Sequence, residues 1–95
     1  MFLVILTYKK PNEEIDKALP GHVLFLDKYY ENKKLIFSGR RKPRTGGIIL
    51  VNSDDKEEVI KIILEDPFHQ NGLADYELIE FTPTKCDERF RPFLN

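Results

Sequence analysis

The chain has 95 residues, 41% of them hydrophobic and 33% charged, with a formal net charge of −1. That length allows one domain with a thin core, and near-zero charge gives no global field for nucleic acid or an anionic membrane. A single cysteine, Cys86, rules out an intramolecular disulfide and fits a reducing compartment.

Phe2 to Tyr8 is β-branched and aromatic-rich with little alternation, which predicts a strand buried on both faces or at the centre of a sheet. The longest apolar run, Phe2 to Leu6, is far too short to span a bilayer, and it lacks the basic start and small-residue cleavage pattern of a signal peptide. A cytoplasmic protein without membrane association is therefore expected. Glu13 to Leu19 reads as a short helical turn, broken by Pro20-Gly21. A main helix is expected from about His22 to Asn32, with His22, Leu26 and Tyr29 at i, i+4, i+7 and Val23 and Tyr30 beside them. Leu35 to Gly39 and Gly46 to Val51 read as two further strands joined by the basic loop Arg40 to Thr45. Ser53 or Asp54 can cap the next helix, and Asp54 with Glu57 matches a capping-box spacing. Val59, Ile60, Ile63 and Leu64 form its apolar face, and Pro67 ends it. Ala74 to Phe81 is the fourth strand, where the shift from Tyr76 and Leu78 to Ile79 and Phe81 marks a bulge or a change of buried face. Pro83 ends it, so residues 1–83 form the domain and 84–95 a tail.

The order βαββαβ predicts an α+β, ferredoxin-like fold, with an antiparallel four-stranded sheet and two helices on one face. The other face is left open, and Phe90, Phe93 and Leu94 in the tail have nothing evident to bury them. A second copy of the chain would cover both, so a homodimer is expected.

His22 and Asp66 are the candidate catalytic pair, a base with a carboxylate that orients it. A lone histidine is more often a capping or core residue, yet an imidazole can give or take a proton near neutrality. At a helix N-terminus the ring is kept neutral. Asp before Pro is a common turn starter. At a helix C-terminus, however, a carboxylate meets the negative end of the dipole. That misfit implies a partner elsewhere, either His22 or a basic residue such as Arg40. Ser38 and Gly39 end the second strand, where Ser38 can reach a pocket between helix and sheet. No Gly-x-Ser-x-Gly elbow supports a nucleophilic serine. Gly46-Gly47 with Arg40, Arg41, Lys42 and Arg44 reads either as a solvated loop or as a site for an anion. The same cluster is the only nucleic-acid cue. It is short, without interleaved aromatics, in a net acidic chain, so no nucleic-acid partner is expected. His22, His69 and Cys86 lack zinc-type spacing. No glycine-rich nucleotide fingerprint is present, so neither metal nor cofactor is expected.

Gly21 to Leu26, Phe37-Ser38-Gly39, Gly46 to Leu50, Asp66-Pro67-Phe68 and Gly72-Leu73-Ala74, in that order, resemble the YCII-related family. The resemblance implies a dimeric α/β-barrel arrangement. It implies a His/Asp pair at His22 and Asp66 as the active-site residues, with Ser38, Gly39, Arg40 and Phe68 around a small-molecule ligand. Many family members carry Gly-Pro where this chain has Gly39-Arg40, which alters the pocket rim. The expected activity is acid–base chemistry without a cofactor, such as elimination or isomerisation, on a small and anionic organic substrate. The alternative is a non-catalytic binding or accessory module of the same fold.

Overall fold

The computed structural model describes residues 1–94. Strand β1 (Phe2–Tyr8) leads to helix α1 (Asn12–Glu31), then to strands β2 (Leu35–Arg40) and β3 (Gly46–Val51). Helices α2 (Lys56–Ile63) and α3 (Pro67–Gln70) follow, then strand β4 (Ala74–Glu80) and a 3₁₀ turn, Glu88–Phe93. The strands form one antiparallel sheet in the order β2-β3-β1-β4. This is the ferredoxin-like α+β arrangement.

The pleat decides which side is core. Phe2, Val4 and Leu6 of β1 pair across to Val51, Ile49 and Gly47 on one flank and to Glu80, Leu78 and Tyr76 on the other. Phe2, Val4, Leu6, Ile49 and Val51 are buried with Ile15, Phe25 and Tyr29 of α1 and Val59, Ile62 and Ile63 of α2 in a single cluster. β1 is central, as its composition implies, but only one of its faces is sealed. Leu3 and Ile5 on the opposite face stay partly exposed, beside Leu50 and Ile48. β4 carries no bulge. It runs in continuous register, so Ile79 falls on the open face opposite Leu3. The irregularity lies in β2, between Leu35 and Phe37.

The largest correction concerns the first helix. Pro20-Gly21 does not break it, and α1 runs through both residues for 20 residues. Ile15, His22, Phe25 and Tyr29 form one buried stripe across the supposed break. Pro20 lacks the N–H that would bond to the Asp16 carbonyl, and both residues lie on the exposed side of the helix. Gly46 has a steric rather than a ligand-binding reason, because a Cβ there would lie 1.8 Å from the Leu6 carbonyl oxygen.

α2 is capped by Asp55, whose carboxylate accepts from the Glu57 N–H, and not by Ser53 or Asp54. Asp54 instead accepts from the Met1 ammonium at 3.0 Å. Its buried face is Val59, Ile62 and Ile63, while Ile60 and Leu64 are exposed. The tail finds partial cover within its own chain. Phe90 meets Phe37 edge-on at 6.1 Å between ring centres, and Phe90, Phe93 and Leu94 line a cleft with Ile36, Leu50 and Phe81.

Candidate active site

The site forms where α1 and α3 meet. An added Cβ on Gly21 would lie 3.2 Å from Cγ of Pro67, so a larger residue there would press on Pro67. Gly21 precedes His22 and Pro67 follows Asp66, and at this seam the two side chains meet. The His22 Nδ1 and Asp66 Oδ1 atoms are 2.8 Å apart. Neither residue is placed as the sequence implies. His22 sits in the middle of α1, so no helix terminus acts on it. Asp66 lies beyond the end of α2 and starts α3, accepting from the Phe68 N–H at 3.0 Å with Pro67 in the first turn. An N-cap favours a carboxylate, which removes the dipole misfit.

The hydrogen bonds define the proton position on His22. Asp66 is fully buried and accepts three bonds, from Phe68 N–H, from His22 and, through Oδ2, from the Tyr76 hydroxyl at 2.5 Å. With the Phe68 N–H and the Tyr76 hydroxyl both donating to it, the carboxylate is the acceptor towards His22 as well. The ring proton of neutral His22 is therefore on Nδ1, and Nε2 carries the free lone pair. Phe68 braces the ring from beneath, stacked at 4.0 Å and 5°. Burial, the Asp66 charge and the hydrogen bond between them push the Tyr76 phenol far above its ordinary range, so it stays a donor.

His22 lines a cavity of about 250 Å³ between α1 and the sheet. Ser38, Gly39, Arg40 and Phe68 line the same cavity, while Asp66 lies behind the ring. Ser38 exchanges a 2.7 Å hydrogen bond with the Tyr30 hydroxyl. Phe68 is almost wholly buried and touches the cavity mainly as a wall. Of the basic loop, Arg40 and Arg44 line the cavity, whereas Arg41 turns to the Thr7 hydroxyl at 3.3 Å.

Two tyrosines at this site escape the sequence reading. Tyr76 is on the core face by the alternation of β4, but nothing local indicates that its hydroxyl meets Asp66. Tyr8 ends β1, lines the cavity and packs edge-on against Phe68 at 5.9 Å. His69 points the other way, exposed and edge-on to Tyr76 at 5.8 Å. Among the described residues, no cluster of three or more His, Cys, Asp or Glu is placed to hold a metal ion. No helix among them is long and apolar enough to cross a membrane.

No curated protein matches the chain. Among solved structures it is similar to the 5-chloro-2-hydroxyhydroquinone dehydrochlorinase TftG from Burkholderia phenoliruptrix AC1100, in complex with 2,5-dihydroxybenzoquinone. That match has a TM-score of 0.67 at 20% identity and covers 85% of this chain and 93% of that one, which supports a shared fold. The YCII-related domain matches residues 1–82, and on that extent the chain belongs to the YCII-related family.

Proposed function

We propose that this chain is a small, cofactor-independent enzyme in which His22 is the general base and acid and Asp66 orients it. Nε2 would take a proton from a carbon or hydroxyl acid in the cavity and return it elsewhere on the same molecule, or leave it for solvent after an elimination. Asp66 would stabilise the imidazolium formed at that moment. Such help is worth about 10²–10⁴-fold in rate. The observation that carries this reading is the three-donor environment of Asp66, which leaves the basic nitrogen free beside the cavity. A dehydrochlorinase removes hydrogen chloride, an elimination that a base can begin, so the structural neighbour's activity supports a lyase-type reaction here by analogy of fold. The substrate would be a small organic anion, met by Ser38, Gly39 and Arg40, with Phe68 as wall.

The competing reading is a non-catalytic binding module, favoured by the burial of His22, whose side chain is 11% exposed. Turnover separates the two. Halogenated hydroxyhydroquinones and small cyclic enol acids are followed by NMR in D₂O for halide loss or deuterium uptake. The enzyme reading expects turnover by the parent and its loss in His22→Gln with binding retained. Binding without turnover, or equal turnover by both proteins, contradicts it.

We also propose a homodimer in the cytoplasm. The half-exposed Phe37 and Ile79 on the open sheet face support pairing, and the exposed, unpaired Cys86 suits a reducing compartment. Sedimentation at micromolar concentration should give a dimer, and a monomer there would refute the pairing.

A further inference from the structure

We propose that Arg44 is the anion-binding residue of the His22 cavity, and that its ligand is the carboxylate of a small planar organic acid, taken in exchange for Asp16. The proposal extends the reading of the cavity as a ligand site and rests on different residues from the dyad.

Arg44 comes from the loop between β2 and β3 and lines the cavity with His22, Tyr8 and Arg40. Its Nη2 donates to Oδ1 of Asp16, in the exposed part of α1, at 2.5 Å. Its Nε–H is buried and has no acceptor. Nε and Nη2 form one edge of the guanidinium, the edge that matches a carboxylate with two parallel hydrogen bonds. Asp16 holds only one of those two donors. The resting pair is therefore incomplete, and a buried orphan donor is an unfavourable arrangement. A ligand carboxylate seated along the edge satisfies both nitrogens.

Charge and shape agree with that occupant. The cavity lining contains Arg40 and Arg44 and no aspartate or glutamate. Asp16, drawn below the usual carboxylate range chiefly by its bond to Arg44 and also by the charge of Arg40, is the local counter-charge. At the arginine end Asp16 is the one carboxylate that meets the two guanidinium groups, while Asp66 lies behind the His22 ring among its own three donors, so the arginine end suits an anion. Leu19, Val23, Leu26 and Ile49 make the rest of the wall apolar, which suits a carbocyclic body behind the acid group. Asp16 is 55% exposed and its ion pair is open to water, so the exchange gives up little.

Benzoate and its neutral isostere benzamide are the probes, titrated by calorimetry into the parent and the Arg44→Gln, Arg44→Lys, Asp16→Asn and His22→Gln variants. The parent should bind benzoate at least about tenfold more tightly than benzamide, the scale of one charge-assisted bond. Arg44→Gln should erase that preference, and Arg44→Lys should restore only part of it, having charge but no fork. Asp16→Asn should tighten benzoate severalfold and leave benzamide unchanged, because the competitor is gone. His22→Gln should keep the preference, so failure of the catalytic reading leaves this site standing. Equal binding of the two probes, no binding of either at tens of millimolar, or a preference that survives Arg44→Gln overturns the proposal. Circular dichroism of each variant confirms that it is folded.

Discussion

Glu65 and Asp66 are neighbours in sequence with matching partners and opposite environments. Each carboxylate reaches back to α1 for a basic side chain, and each takes a tyrosine hydroxyl. Glu65 has Lys28 at 2.6 Å and Tyr29, while Asp66 has His22 at 2.8 Å and Tyr76 at 2.5 Å. Glu65 and Lys28 are each about half exposed, whereas Asp66 is wholly buried and His22 nearly so. Water and salt compete for the first pair, which contributes little to stability. The second has no water to fall back on, so each donor depends on the one carboxylate. Burial turns the same set of groups from a surface ion pair into a fixed proton position.

The contrast makes substitutions at the two sites diverge. The largest difference is expected in turnover. His22→Gln should lower kcat by about 10²–10⁴-fold, while Lys28→Gln leaves it within about twofold, since an exposed pair gives little. Steady-state kinetics on the first substrate identified reads this directly, and comparable losses at both positions would break the contrast. Stability comes next. Asp66→Ala leaves the His22 and Tyr76 donors without an acceptor and removes the α3 cap, at a cost of about 3 kcal/mol or more. For a chain of this length that is roughly 12–24 °C in melting temperature. Glu65→Ala should move it by no more than about 8 °C.

The tyrosines sharpen the same contrast at smaller scale. Tyr76→Phe loses one hydrogen bond to a buried charge, about 1.5–3 kcal/mol, and Tyr29→Phe loses less because Glu65 retains Lys28 and water. Denaturant titrations of the two variants should rank in that order. The smallest effect appears at high pH. Burial first, then the neighbouring carboxylate, raises both phenols above their ordinary value of 10.0. A raised folded value means that the unfolded chain loses its proton first. The contribution is thus intact below pH 10 and falls as pH climbs above it, by at most about 1.4 kcal/mol per pH unit for each group. Tyr76→Phe should flatten that decline between pH 10 and 11.5 more than Tyr29→Phe. Parallel curves for the parent and Tyr76→Phe would mean that Tyr76 does not titrate with unfolding.

The strands were legible because apolar runs and glycine-bounded turns mark them locally, from Phe2–Tyr8 to Gly46–Val51. α1 was legible in its stripe but not in its length. Ile15, His22, Phe25 and Tyr29 keep helical spacing through Pro20-Gly21, and tertiary packing overrides the local breaker. Asp66-Pro67 was legible as a boundary, yet a boundary signal does not tell an ending from a beginning, and here it starts α3. His22 meets Asp66 where Gly21 lies against Pro67, a contact between segments 46 positions apart. The Tyr76 hydroxyl and the incomplete Arg44 fork depend on distances that only the fold sets.

The central claim is that Asp66 fixes the proton of neutral His22 on Nδ1 and leaves Nε2 as the base facing the cavity. A long-range ¹H–¹⁵N correlation spectrum of uniformly ¹⁵N-labelled protein, with His22 assigned by comparison with His22→Gln, reads the tautomer without any substrate. The account predicts a protonated Nδ1 and a bare, pyridine-type Nε2 in the neutral ring, and loss of that fixed pattern in Asp66→Ala. A neutral ring with its proton on Nε2 would contradict it.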